Sequence, residues 1–204
     1  MTMFESPTIY GVSDTGLDHL NYFRELLLSG VDIIQLRDKD LTDRDFYNIA
    51  IALKKIAAEF KKLFIINDRV DIALLLNSDG MHLGGDDLQP KEVRAVLGEE
   101  KIIGYSCHSY QDALMAKDLN VDYISVGPVF KSSTKKNLET MGSDEIELIV
   151  DNISIPQVAI GGIDLENIDK IKEYGFSNVA MISSLQIAED KKEYINKIRK
   201  VIEK

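Results

Sequence analysis

Residues 63–83 read Leu63-Phe64-Ile65-Ile66-Asn67-Asp68-Arg69-Val70-Asp71-Ile72-Ala73-Leu74-Leu75-Leu76-Asn77-Ser78-Asp79-Gly80-Met81-His82-Leu83. An apolar run, Leu63–Asn67, ends in polar residues. A segment carrying Val70, Ala73, Leu74 and Leu75 at helical spacing follows. A second apolar run, Gly80–Leu83, comes next. Neither run alternates with polar residues, as expected of strands buried on both faces. This is a strand–helix–strand unit.

The unit recurs in both directions. Further strands are expected at Thr8–Val12, Val31–Leu36, Lys101–Ser106, Tyr123–Gly127, Gln157–Ile160 and Asn178–Ile182, eight in all. Helical stretches lie between them. Thr42–Phe60 places Phe46, Ile49, Ala50, Leu53, Ile56, Ala57 and Phe60 on one stripe, with Thr42 and Asp45 spaced as a capping box. Ala113–Leu119 and Leu165–Tyr174 are shorter versions, and Leu185–Glu203 reads as one closing helix. Eight such units in 204 residues define an α/β chain, a single (β/α)8 TIM barrel spanning residues 1–204. A doubly wound open sheet is the rival, because local pattern does not show closure.

Composition excludes several classes. The apolar fraction is 45% and the charged fraction 28%, as in folded globular proteins rather than disordered ones. No apolar run approaches the roughly 18 residues of a membrane span. The start, MTMFESPTIYG, shows no secretory signal. Cys107 is the only cysteine, so no internal disulfide forms, and a cytoplasmic location is expected. The net charge of −10 disfavours nucleic acid as a partner. An anionic substrate would need local cations or a metal.

In a barrel, chemistry gathers at the C-terminal ends of the strands. Strand two ends Gln35-Leu36-Arg37-Asp38-Lys39-Asp40, and alternation puts Gln35, Arg37 and Lys39 on one side. Arginine offers a fork to phosphate and lysine a mobile charge, although both could instead pair with Asp38 and Asp40. Asn67 and Asp68 close strand three, either as helix caps or as binding groups. His82-Leu83-Gly84-Gly85-Asp86-Asp87 closes strand four, where Asp87 reads either as a cap of the helix near Pro90 or as a metal ligand. Mg²⁺ typically takes one or two carboxylates plus substrate phosphates. Ser106 and His108 share a face after strand five, and Cys107 faces the core. Lys131-Ser132-Ser133-Thr134-Lys135-Lys136 after strand six suits an anion such as diphosphate, or is a solvated basic loop. Gly161-Gly162 and Ile182-Ser183 follow strands seven and eight, where barrels often bind phosphate through backbone N–H groups.

In register, QLRDKD, NDRVDIAL, GMHLGGDD, GYSCHS, DYISVGPVF, STKK, IPQVAIGGI and VAMISS resemble the motifs of the thiamine-phosphate synthase (thiamine-phosphate pyrophosphorylase) family, from about Tyr10 to Asp190. The resemblance implies a transferase on a (β/α)8 barrel. Hydroxymethylpyrimidine diphosphate would lose pyrophosphate, and the nitrogen of thiazole phosphate would take the methylene carbon. It implies that Gln35, Arg37, Lys39 and Asn67 hold the pyrimidine diphosphate and that Asp68 and Asp87 bind Mg²⁺. Ser106 and Lys135 would contact the reacting substrate and diphosphate, giving a catalytic set of Arg37, Lys39, Ser106 and Lys135. Ser132 and Thr134 would bind the thiazole partner, and Gly162, Ile182 and Ser183 its phosphate.

Two departures from the family pattern stand out. The usual T-x-T-K with a preceding proline is Lys131-Ser132-Ser133-Thr134-Lys135 here, and the usual Gln-Glu-Asp is Gly85-Asp86-Asp87. The nearest alternative is the sister thiazole tautomerase, which has a histidine matching His108; a non-catalytic phosphate-ligand-binding regulator is another. The expected partners are small molecules, not nucleic acid or membrane, and a homo-oligomer stays open.

Overall fold

The computed structural model describes residue 4 and residues 7–131 and 139–203. Eight strands form one closed parallel barrel in chain order: β1 (Thr8–Val12), β2 (Ile33–Leu36), β3 (Leu63–Asn67), β4 (Gly80–Leu83), β5 (Ile102–Cys107), β6 (Tyr123–Val126), β7 (Gln157–Ile160) and β8 (Asn178–Met181). Closure is carried by β8 against β1, with Ile9 beside Val179 and Gly11 beside Met181. The open-sheet rival is therefore excluded. The strands lie within about two residues of their sequence-based positions.

The two-residue period of each strand separates two apolar populations. Ile33, Ile65, Val158 and Ala180 fill the barrel interior together with Tyr10, Val12 and Tyr123. Their neighbours Ile34, Ile66, Ala159 and Val179 face the helices in the larger outer core. Both faces are dry, which is why the strands read as unbroken apolar runs. Gly104 has a specific reason: β5 pairs it with Tyr123, and a Cβ there would collide with the tyrosine ring.

Helices α1 (His19–Leu28), α2 (Asp43–Glu59), α3 (Val70–Leu76), α4 (Pro90–Leu97), α5 (Tyr110–Ala116), α6 (Ser143–Asn152) and α7 (Ile168–Glu173) fill the connections. Thr42 caps α2, accepting from the Asp45 amide at 3.2 Å, while its hydroxyl donates to the Asp45 carboxylate at 2.7 Å. The closing segment differs from its sequence reading. It is two helices, α8 (Ser183–Ile187) and α9 (Lys191–Ile202). Ala188 is extended, and the Asp190 carboxylate accepts from the Glu193 amide at 2.8 Å, starting a new helix. No helix among the described residues is long and apolar enough to cross a membrane.

Candidate active site

The phase that fills the barrel also builds the site. Two residues beyond Ile33, Ile65, Tyr123, Val158 and Ala180 stand Gln35, Asn67, Ser125, Ile160 and Ile182, which line the cavity at the C-terminal mouth. Arg37, Ser106 and His108 line it as well. A contiguous cleft is lined by Arg37, Lys39, Asn67, Asp68, Ser106 and the Gly84–Asp87 turn. Seven of the residues singled out in the sequence thus converge on one mouth: Gln35, Arg37, Lys39, Asn67, Asp68, Asp87 and Ser106.

The loop after β2 is held so that its cations face this mouth. The side chain of Asp38 is nearly fully buried and meets the His19 Nε2 at 2.9 Å. Its other oxygen accepts from the backbone of Asp40 and Leu41 at 2.9 and 3.2 Å. Those bonds outweigh the cost of desolvation and keep the Asp38 carboxyl below its ordinary pKa. Asp38 is therefore an anchor and not the partner of Arg37. The Arg37 guanidinium meets Asp14 at 2.6 Å. The Arg37 amide donates to the Ser13 hydroxyl at 2.9 Å, and that hydroxyl donates to the Arg37 carbonyl at 2.9 Å. Ser13 and Asp14 were missed in the sequence, although they follow the end of β1 as Arg37 and Lys39 follow the end of β2.

Neither Asn67 nor Asp68 caps α3, whose N-cap residue is Arg69 without a side-chain cap. Asp68 instead takes a left-handed backbone, φ 59°, a conformation short polar residues tolerate but one that costs roughly 1 kcal/mol. Asp87 does not cap α4 either: Gln89 is the cap residue, its amide donating to Glu92 at 3.3 Å. Asp87 accepts from the Gly84 amide at 2.7 Å, which folds the turn back toward Asp68. Burial, then a hydrogen bond and charge repulsion from Asp87, push the Asp68 carboxyl up to about 6, against the opposing pull of Lys39 and Arg37. Two carboxylates forced together beside the mouth are a donor set that a divalent cation suits. No cluster of three or more metal-ligating side chains occurs among the described residues.

His82 is a satisfied buried histidine. Its Nδ1 meets the Tyr123 hydroxyl at 2.9 Å and its Nε2 the Ser106 hydroxyl at 2.9 Å. Cys107 faces the outer core, where burial pushes its thiol up to about 12, far from a reactive thiolate. His108 lines the mouth, with Nδ1 on the Gly127 carbonyl at 2.5 Å.

Across the mouth, Gly162, Ile182 and Ser183 line one small cavity between the ends of β7 and β8. Lys131, Gly162 and Ser183 line the cleft beside it. Gly162 has φ +64°, and a Cβ there would strike the Lys131 carbonyl oxygen. Its glycine is thus required by the neighbouring loop, with its carbonyl held by Asn167 Nδ2 at 2.8 Å. Ser132, Thr134 and Lys135 lie outside the described residues.

Fold and site define a parallel-barrel protein with cationic and carboxylate groups at one side of its mouth and a glycine-lined backbone cradle at the other. The thiamine monophosphate synthase family model matches residues 9–185, and the chain belongs to that family. It is similar to the thiamine-phosphate synthase of Desulfitobacterium hafniense (strain Y51), 41% identical over 188 residues, covering 90% of this chain and 91% of the relative. The thiamine-phosphate synthase of Prochlorococcus marinus (strain AS9601) is 44% identical over 185 residues, covering 91% of this chain. The chain spans about half the length of that relative, 53%. Among solved structures, the thiamine phosphate pyrophosphorylase of Pyrococcus furiosus superposes with a TM-score of 0.86 at 32% identity, covering 97% of this chain and 96% of the other.

Proposed function

We propose that this chain, acting as one barrel unit, joins hydroxymethylpyrimidine diphosphate to thiazole phosphate, releasing thiamine phosphate and pyrophosphate. The C–O bond to the diphosphate breaks with its electron pair leaving on pyrophosphate. The thiazole nitrogen lone pair then forms the new C–N bond. The observation that carries this reading is the convergence of Arg37, Lys39 and Asn67 with Asp68 and Asp87 on one cleft.

The work of the residues follows from their chemistry. Arg37 and Lys39 place positive charge where negative charge grows on the leaving group, the kind of electrostatic stabilisation that lowers such barriers most. Gln35, Asn67 and Ser106 would orient the pyrimidine in the cavity that they line. By the family resemblance, Ser132 and Thr134 would bind the thiazole partner and Lys135 would contact the diphosphate. Gly162, Ile182 and Ser183 would hold the thiazole phosphate. Asp68 and Asp87 would bind Mg²⁺, the donor set being two adjacent carboxylates with room for substrate oxygens. When bound, the ion supplies further positive charge against the diphosphate. The lone buried thiol fits the reducing cytoplasm.

The test is product formation by the purified protein from both substrates with Mg²⁺, read as thiamine phosphate and pyrophosphate in equal amounts. One observation favours a second reading, thiazole tautomerisation. The Gly127 carbonyl accepts from His108 Nδ1, which orients a ring of the proton-transferring type at the mouth. Under the synthase reading, His108→Asn retains synthesis within severalfold. Loss of synthesis in that variant with Arg37→Ala unimpaired would favour tautomerisation.

A further inference from the structure

Beneath the mouth a chain of hydrogen bonds joins two of the site residues, Gln35 and Ser106, through Tyr10, Tyr123 and His82, three buried groups that the proposed reaction does not use directly. Gln35 Nε2 donates to the Tyr10 hydroxyl at 2.7 Å. The Tyr10 and Tyr123 hydroxyls are 3.1 Å apart. Tyr123 reaches His82 Nδ1 at 2.9 Å, and His82 Nε2 reaches Ser106 at 2.9 Å. Ser125 adjoins the end of the chain, 3.4 Å from His82 Nε2 and donating to Ser106 at 3.5 Å. Tyr10 is 1% exposed and Tyr123 fully buried, so water does not complete their bonds.

The chain has a direction. A glutamine NH2 only donates, so Tyr10 accepts at its oxygen from Gln35. Burial raises both phenols far above neutrality, so each keeps one proton to give. Tyr10 then donates to Tyr123, Tyr123 donates to His82 Nδ1, and the neutral imidazole carries its proton on Nε2. Nε2–H donates to Ser106. In the reverse direction Tyr10 would receive two donors, and its own proton would point at neither, an unmet buried donor. Ser106 thus accepts from His82 and from Ser125, and its own proton is turned to the cavity that it lines.

We infer that Tyr10, Tyr123 and His82 are positioning residues that fix Ser106 as a hydrogen-bond donor to an acceptor atom of the pyrimidine substrate, such as a ring nitrogen; this rests on the synthase reading above. Removing the Tyr123 hydroxyl frees the imidazole to move its proton to Nδ1. Ser106 then donates inward to Nε2 and offers the substrate a lone pair instead of a proton. Gly104 fits this role, because it is the glycine that leaves room for the Tyr123 ring.

The test is a double-mutant cycle of Tyr123→Phe and Ser106→Ala, with a thermal melt of each protein, beside ¹⁵N NMR of the histidines in the wild type. Tyr123→Phe should lower kcat/KM for hydroxymethylpyrimidine diphosphate about tenfold, the scale of one net hydrogen bond near 1.4 kcal/mol. The KM for thiazole phosphate should stay within about twofold of the wild type. In the Ser106→Ala background the same change should cost less than about twofold. An equal loss in both backgrounds, or a wild-type rate in Tyr123→Phe, overturns the inference. Tyr10→Phe, which cuts the chain nearer Gln35, replaces Tyr123→Phe if that variant does not fold. The NMR reading needs no turnover: His82 should be the Nε2–H tautomer, and an Nδ1–H tautomer overturns the inference even if the protein is a synthase. A wild type that makes no thiamine phosphate while His82 carries Nε2–H would instead sink the synthase reading and leave the chain standing.

Discussion

Lys39 Nζ stands 3.8 Å from the Asp68 carboxylate, linking the loop after β2 to the turn after β3. The Lys39 side chain is 63% exposed, and an exposed pair of this kind contributes little to stability, about 0–1 kcal/mol. The contact matters because it holds a mobile cation next to the carboxylate pair at the mouth.

Lys39→Ala should therefore leave the melting temperature close to that of the wild type while reducing turnover. Arg37→Ala removes a charge-assisted, fork-shaped contact worth on the order of 1.5–3 kcal/mol. That corresponds to roughly a tenfold to hundredfold loss in kcat/KM. Steady-state kinetics beside thermal melts check both variants. A fall in melting temperature large enough to explain the lost activity would make these residues structural.

Asp68 gives a prediction in pH. Its carboxyl sits at about 6 when folded, above the ordinary 3.8. The folded state thus holds this proton more tightly than the unfolded chain does. The stability this contributes is present below about pH 4 and is lost as the pH rises through 6. In metal-free protein, Asp68→Asn should flatten that part of the curve, since the amide neither ionises nor repels Asp87. Thermal melts in EDTA at pH 4, 5, 6 and 7 would show it. Parallel curves for the variant and the wild type would contradict the crowding of Asp68 by Asp87. The same variant should be less active, separating function from stability in opposite directions.

Much of this arrangement is legible in the sequence. Short double-buried strands separated by helical stripes give the barrel, and alternation from Gln35 through Arg37 to Lys39 gives one face of the mouth. What stays hidden depends on which non-neighbouring strands meet. Tyr10 and Tyr123 read as ordinary apolar strand residues, because nothing local says that their hydroxyls meet inside a closed barrel. The Arg37–Asp14 pair needs β1 beside β2. Asn67, Asp68 and Asp87 each also had a local reading as a cap, and only the N-cap positions of the folded helices, Arg69 and Gln89, decide against it. The split between α8 and α9 was legible but missed: the charged run 189–193 interrupts the apolar stripe, and Asp190 stands three residues before Glu193 as a cap.

Gly162 joins packing to binding. Gly162→Ala places a Cβ against the Lys131 carbonyl and holds a non-glycine residue at φ +64°. Positive φ alone costs roughly 1 kcal/mol. The variant should melt lower and show a severalfold higher KM for thiazole phosphate, with the KM for pyrimidine diphosphate nearly unchanged. Equal rises in both constants would mean that the cradle between β7 and β8 does not serve the thiazole substrate alone.

The most direct measurement is a single-turnover reaction of the purified chain with hydroxymethylpyrimidine diphosphate, thiazole phosphate and Mg²⁺, following both products. The expected result is equimolar thiamine phosphate and pyrophosphate, abolished by stringent metal removal and restored by Mg²⁺. A folded, Mg²⁺-supplied protein that releases no pyrophosphate and forms no thiamine phosphate would contradict the assignment of this mouth to synthesis.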